Sequence, residues 1–368
     1  MEAEDIDIPI SRSFLKESAM EIVAVQTKKE IKQFKEFRKK LYANDPYYVS
    51  TAEFTLDMLL NKETAFAKRA EIRPIMGIDC GRVILTALLI HNPKDDFLQI
   101  AFFEALENIK AEVFCFLDYA KEFAKGLNLK KIIIGLNGHL SYGVGISLDM
   151  KSRNTFDSTY TKLYYADYFE GYKKHDLVAF SNTPSTVLEK LPCRESSIKI
   201  RKIDLKKFEE EMELFRTICD ETIGTTFLYS KTEQHHFYDL LKDMTFFLRS
   251  ENLLFAEDDG HVVGFVFWHP DYNEVLKSGR QNSLLEIAVR YLLRKNKIKK
   301  VKLNAIGVKK EYQGIATLQL LNEVGKYVGK YDVIETNFVW CNNKKSMALN
   351  DALLQNVERR FAVYEVNV

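Results

Sequence analysis

One stretch of text, a short β-branched run followed by an amphipathic helix, occurs twice in this chain, and no other feature limits its folds as strongly. Residues 21–27 read EIVAVQT and lead into KKEIKQFKEFRKKLY, where Ile31, Phe34, Phe37 and Leu41 recur at helical spacing. The pattern returns at IKIRKIDLKKFEEEMELFRTI, in which Ile198, Ile200 and Ile203 precede a helix carrying Phe208, Met212 and Phe215 on one face. From each start the elements run in the same order. The first half predicts strands over 72–78, 83–90 and 98–105, a helix over 112–125 and a strand over 131–135. The second predicts strands over 254–257, 262–268, 301–308 and 333–339, with a helix over 317–328 between the last two. Asp79-Cys80-Gly81 and Asp258-Asp259-Gly260 stand at matching places as hairpin turns. A repeat of this length is too long for a solenoid and suits two copies of one α/β domain, here 1–193 and 194–368, with the seam in 190–197. A chain of 368 residues can bury two cores.

Composition narrows the function. With 53 basic and 52 acidic side chains the net charge is +1, so no field of one sign is present to gather a long polyanion or hold a membrane surface. Nucleic acid and membrane are therefore not expected partners. The five cysteines (Cys80, Cys115, Cys193, Cys219, Cys341) are scattered and never spaced C-x-x-C, which fits reduced thiols in a cytoplasmic protein and gives no zinc motif. The opening MEAEDIDIPI lacks the basic start and apolar run of a secretory signal, and no apolar stretch approaches bilayer-spanning length.

The run KLNAIGVKKEYQGIATLQLLNEVGKYV, residues 302–328, carries the chemistry. An apolar strand ends in a polar, glycine-bearing turn that opens directly into a helix, so unpaired N–H groups and the positive end of the helix dipole meet at one point. That arrangement suits a phosphate or pyrophosphate, and Gly314 lets it approach the backbone.

Val308, Glu311, Tyr312, Gln313, Gly314, Ile315 and Ala316 resemble the pyrophosphate loop of the GNAT N-acetyltransferase superfamily, with Gln313 first and Gly314 as the small residue after it. Ala316 stands where that motif has its central glycine, and Leu318 where it has its last small residue. Pro270-Asp271 with Asn273, Asn342 or Asn343 followed by Met347, and the ending Val363-Tyr364-Glu365 resemble a bacterial family in which two GNAT-like folds share one chain. So do Tyr42-Ala43-Asn44-Asp45-Pro46, Phe102-Phe103-Glu104 and Gly135-Leu136-Asn137 in the first half.

The resemblance implies an α/β protein of two tandem GNAT-like acyl-CoA N-acyltransferase domains, each a mixed, mostly antiparallel sheet flanked by helices. It implies acetyl-CoA or another acyl-CoA as co-substrate, bound by Ile306, Gly307, Val308, Gln313, Gly314, Ile315, Ala316, Thr317 and Asn343, and a small-molecule or peptide amine as acceptor. The first half has no such loop: LENIKAEVF offers no glycine and places Glu107 and Glu112 where an anion would sit. Asn304 occupies the position where the superfamily often carries a carboxylate base. Asn cannot take a proton, which turns attention to water, Glu286, His269 or Asp271. Tyr364 is a candidate acid toward the leaving thiolate, although a tyrosine in a closing strand is as readily explained by packing. Two other functions stay open, a GNAT-like scaffold without chemistry and a Fem-type aminoacyl transferase. His235-His236 points two ways on a helix, one exposed and one packed, and suggests no metal. The aromatics Phe102, Phe103, Phe114, Phe116 and Tyr119 suit a core. Six tyrosines, at 142, 160, 164, 165, 168 and 172, leave open either a polar-aromatic surface or packing.

Overall fold

The computed structural model describes residues 20–50, 52–149 and 152–368; the acidic opening segment lies outside them. Two hairpins set the register of the molecule. Cys80 and Gly81 take φ of 46° and 74°, and Asp259 and Gly260 take 46° and 79°, the paired left-handed geometry of a two-residue turn that matches strand twist. In the first half these join β2 (Glu71–Asp79) to β3 (Arg82–His91), preceded by β1 (Glu21–Ala24) and followed by β4 (Leu98–Ala105), β5 (Lys131–Ile134) and β6 (Lys173–Asn182). In the second half they join β8 (Leu253–Asp258) to β9 (His261–Pro270), between β7 (Lys199–Lys202) and β10 (Lys300–Val308), β11 (Val333–Thr336) and β12 (Asn356–Asn367).

These strands form one 14-stranded sheet among the described residues, in the order β1-β2-β3-β4-β5-β12-β6-β11-β10-β9-β8-β7, with the short segments Ile146–Ser147 and Val339–Trp340 at its middle. Each half contributes five neighbouring strands in the same order, and the two last strands are exchanged. β12 pairs with β5 of the first half, Tyr364 opposite Ile134, while β6 pairs with β11 of the second, Asn182 opposite Ile334. β6 and β12 then pair with each other from Glu365/Lys173 to Asn356/Ser181. The sheet is therefore continuous, and neither set of five strands is closed by its own chain segment.

Helices cover both faces. Thr27 caps α1 (Lys28–Leu41) with a reciprocal capping box to Glu30; α1 and α2 (Ala52–Leu60) bury Phe34, Leu56 and Leu59 on one side of the first half, and α3 (Lys110–Gly126) buries Val113, Phe116 and Phe123 on the other. In the second half α4 (Phe208–Thr222), α5 (His236–Leu241) and α6 (Leu284–Arg294) pack on one face. On the opposite face α7 (Ile315–Val328) packs beside α8 (Lys344–Leu353). Residues 190–197 are tied to α7, where Gln319 Nε2 donates to the Arg194 carbonyl at 2.5 Å and Asn322 Nδ2 to that of Pro192 at 3.2 Å.

The junction between halves is held by a buried charge cluster. Glu335 of β11 is fully buried and accepts from Arg359 Nε of β12, Lys300 Nζ of β10 and Thr155 Oγ1 of the first half at 2.9, 2.9 and 3.0 Å. Burial pushes its carboxyl up, but the two cations more than offset this and hold it below its ordinary value.

Candidate active site

Two strand pairs in the sheet come apart, β4 from β5 beyond Ile100/Ile134 and β10 from β11. β10 runs parallel to β11 only from Lys300/Val333 to Leu303/Thr336; beyond this the two diverge, with Asn337 N still donating to the Leu303 carbonyl. The break coincides with a bulge: Phe267 faces Ala305 and Trp268 faces Leu303, leaving Asn304 as the extra residue. Lys309 N bonds to the Val263 carbonyl on β9, so strand alternation turns Gly307 toward β9 and directs the amides of Ile306 and Val308 into the cleft. Gly307 has a packing reason of its own, since a Cβ there would lie 2.3 Å from Thr222 Oγ1 of α4. It is not among the amides that face the cleft.

At the end of β10 the chain turns through Gly314, whose φ of 94° suits glycine and whose Cβ position meets no atom within 4 Å. The amides of Ile315, Ala316 and Thr317 open α7, a 14-residue helix without a side-chain cap at its start, and the Leu318 amide is the first to reach back, to Gly314 O. Lys345 of α8 places its ammonium 3.3 Å from Gln313 Oε1. Open backbone, free helix-terminal donors and an adjacent cation fit an anionic pyrophosphate.

The matching place in the first half is filled. Asn108 takes the left-handed φ of 65° where the second half has Gly314. Tyr165 Oη receives the Ala105 amide at 2.9 Å, Tyr164 Oη donates to the Ala105 carbonyl at 2.8 Å, Tyr168 Oη donates to the Leu106 carbonyl, and the Ile109 amide points to Tyr168 at 3.4 Å. These tyrosines therefore plug the cleft that would otherwise expose backbone there. Tyr160 similarly binds Asp45 at 3.0 Å, beside the stacked pair Tyr42 and Tyr48. Packing, not a polar-aromatic surface, accounts for these members of the cluster.

From the cleft of the second half a cavity of about 310 Å³ extends into the junction between halves. Its walls are mostly apolar: Phe54, Phe237, Leu240, Leu241, Met244 and Leu284 at one end, Leu349 and Leu353 of α8 at the other. Asn304 and Asn343 line it; Asn343 caps α8 by accepting the Ser346 amide at 3.2 Å. Tyr364 does not. Because β12 crosses to the first half, Tyr364 is buried against Phe169, with ring centres 5.4 Å apart, and burial raises its hydroxyl to about 12.

Asn304 donates through Nδ2 to Asp157 Oδ2 at 2.7 Å. Asp157 belongs to the first half, takes a left-handed φ of 63°, and presents its surface to the cavity, so that it is accessible and yet enclosed by protein. Burial raises its carboxyl, only partly opposed by the Lys302 charge and the Asn304 bond. Among the described residues Oδ1 has no hydrogen-bond partner. The fully buried Lys302 binds the Phe156 carbonyl and Ser158 Oγ at 3.2 and 2.8 Å, and Asp271 accepts the Phe156 amide at 2.8 Å, so both residues fix the loop that carries Asp157. Asp271 is thus committed to structure, its carboxyl raised by burial to about 6. Glu286 is paired with Arg280 and Arg290 on the protein surface and does not reach the cavity. His269 does line it: Nδ1 donates to the Pro270 carbonyl at 2.9 Å and Nε2 is buried without a partner. Burial, with Lys302 nearby, lowers its pKa to about 3, which makes it a weak proton acceptor.

His139 also lines the cavity, and its Nε2 donates to the Ser230 carbonyl at 3.0 Å. His236 is buried with Nε2 2.9 Å from Ser141 Oγ, whereas His235 is half exposed, as the helical spacing implied. Burial lowers His139 to about 4 and holds His236 well below its ordinary value. The unfolded chain therefore binds protons near pH 6.5 that the native chain refuses, and stability should fall as pH drops from about 6.5 to about 4. Each such histidine costs about 1.4 kcal/mol per pH unit at full slope. Urea midpoints at pH 7, 5.5 and 4.5 should decline steeply, and a flat series would show that these rings are not held neutral.

No group of three or more potential metal ligands occurs among the described residues, and no described helix is long and apolar enough to cross a membrane. No family model matches the chain. It is 22% identical over 314 residues to a protein named bacterial ceramide synthase from Caulobacter vibrioides, covering 80% of this chain and 82% of that one. Among solved structures, a tandem GNAT protein from the clavulanic acid biosynthesis pathway superposes with a TM-score of 0.55 at 10% identity, over 95% of this chain and 98% of that one. A conserved protein of unknown function from Enterococcus faecalis V583 superposes with a TM-score of 0.54 at 8% identity, over 95% and 73%. With its mixed, mostly antiparallel sheet, split strands and exchanged last strands, the chain has the fold of the tandem GNAT proteins.

Proposed function

We propose that the protein is an acyl-CoA-dependent N-acyltransferase that moves a long acyl chain onto an amine, with coenzyme A held by the second half alone. The two GNAT-like units are 1–193 and 194–368, apart from the exchanged strands. The observation that carries the reading is the junction of three features in one space: free amides at the start of α7, the split between β10 and β11, and an apolar cavity beyond them. A volume of about 310 Å³ lies in the range of ligand pockets and far exceeds what an acetyl group needs. The name of the Caulobacter relative points the same way, because a ceramide is an amide of a long-chain amine.

Acyl-CoA would supply the activated acyl group. Gln313, Gly314, Ile315, Ala316 and Thr317, with Lys345, would hold its phosphates, and Asn343 would contact its arm. The amides of Ile306 and Val308 would polarise the thioester carbonyl, an electrostatic task that needs no particular side chain. Asp157 takes the proton as the amine nitrogen bonds to the acyl carbon and the carbon–sulfur bond breaks. Burial raises its carboxyl, which makes it a better proton acceptor than an exposed aspartate. Asn304 positions that carboxylate. Its place at the bulge thus has a role in the reaction without proton transfer of its own. A cytoplasmic location suits the free thiols and the supply of coenzyme A.

Gly314→Glu tests the phosphate site. The side chain enters open space, and the positive φ costs on the order of 1–2 kcal/mol, which a folded domain tolerates. A carboxylate at the helix start should weaken coenzyme A at least a hundredfold by calorimetry while circular dichroism stays unchanged. Unaltered affinity would make the loop a plain turn.

A further inference from the structure

Helix α6, LLEIAVRYLLR, is apolar on two sides. Leu284, Ile287, Ala288 and Tyr291 face the interior, where Ile287 and Tyr291 are buried and Leu284 lines the cavity. On the other side Leu285, Val289, Leu292 and Leu293 fall at i, i+4, i+7 and i+8, and they are 75, 47, 62 and 78% exposed. Only Glu286, Arg290 and Arg294 interrupt the two stripes. Phe246, 78% exposed, extends the outer stripe: its neighbour Phe247 packs on Tyr291, and Met244, two residues earlier, lines the cavity. A helix apolar all round belongs in a core, and this one is on the surface.

Residues 284–300 hold six basic side chains and one acid; Arg290, Lys299 and Lys300 are paired with Glu286, Asp332 and the buried Glu335, and the charges left unpaired at the end of the stripe are all basic. Arg294, Lys295 and Lys297 are exposed and have no ion pair among the described residues. Exposed leucines and a phenylalanine above a basic end are what a helix lying in the headgroup region of an anionic bilayer requires. The overall charge of +1, and the lack of a spanning helix among the described residues, say nothing about a local patch of this kind.

We propose that the protein docks on anionic bilayers through the outer face of α6 and Phe246, and that the apolar chain enters the cavity from that surface past Leu284 and Met244. Docking stands on the patch itself; entry of the chain rests on the acyl-transfer reading. Vesicles of phosphatidylglycerol with phosphatidylethanolamine should pull down the protein, pure phosphatidylcholine vesicles much less, and 0.5 M salt should weaken binding. Arg294→Glu with Lys295→Glu and Lys297→Glu should lose on the order of a hundredfold in partitioning, and Leu285→Ser with Leu292→Ser and Leu293→Ser at least tenfold, both with unchanged circular dichroism. The leucine variant should keep the parent's rate on a soluble short-chain acyl-CoA and a soluble amine. Equal pull-down by both vesicle types, or variants that bind like the parent, would overturn docking. So would a parent dimer in light scattering that the leucine substitutions turn to monomer, since a second copy would then cover the face. A parent that binds vesicles but transfers no acyl group refutes the entry of the chain and leaves docking in place.

Discussion

Asp157→Asn should bind coenzyme A as the parent does and lose between about 10² and 10⁴ in the rate of acyl transfer, the range over which a positioned proton acceptor contributes. Asparagine is the informative replacement because it also tolerates the left-handed backbone of Asp157, with its φ of 63°, and keeps a partner for Asn304. The variant therefore removes proton transfer with little change of shape. Asn304→Ala should lose less, because the carboxylate remains and only its orientation relaxes; the pH profile of its kcat should shift, since the bond that helps hold the carboxyl down is gone. Parent-like turnover by Asp157→Asn would move the proton to water or to His269. A parent without turnover on any amine would favour a scaffold that has kept the fold alone.

Cutting the chain between 193 and 194 should abolish the independent fold of both pieces. Residues 1–193 would keep β1–β5 without β12 against β5, and β6 would lose both its neighbours, β11 and β12. Exposed, unpaired edges of this length recruit other chains. Residues 194–368 would lose β6 and leave Glu335, Lys300 and Arg359 without Thr155 or the buried setting that pairs them. Each piece alone is expected to aggregate, co-expression should return a complex that purifies as one, and the intact protein should melt in a single transition. A monomeric, cooperatively melting 1–193 fragment would show that the exchange of strands is dispensable.

Much of the strand order was legible because it is written locally. β-branched runs, the two Asp-x-Gly turns and helical spacing fixed β2–β4, β8–β10, α3 and α7 to within a few residues. The predicted strand over 333–339 proves to be two, Val333–Thr336 and Val339–Trp340, broken where the cleft opens. What went unread is nonlocal. β6 opens with the polar KKHD and follows a tyrosine-rich stretch, so nothing nearby marks it as a strand, and no local signal says that it and β12 change places. That exchange is why Tyr364 sits in the first half's core and not at the site. Asp157 was missed for the same reason: it meets Asn304 across 147 positions, from a loop without periodicity. The polar run Asn154-Thr155-Phe156-Asp157-Ser158 was its only sequence signal. The tyrosines were visible as a cluster, but whether they fill a cleft or line one depends on the backbone they meet.

Affinity for acyl-CoAs of increasing chain length tests the junction of phosphate loop, cleft and cavity most directly. A chain that enters the apolar space gains about 0.8 kcal/mol for each methylene buried, roughly fourfold in Kd. Calorimetry from acetyl- to hexadecanoyl-CoA, below micelle-forming concentrations, should show Kd falling steeply over the first several carbons and then levelling as the cavity of about 310 Å³ fills. Leu241→Asp, at the far wall, should flatten the series while leaving acetyl-CoA binding as it was. Equal Kd for acetyl- and dodecanoyl-CoA in the parent would contradict the placement of an acyl chain in this cavity.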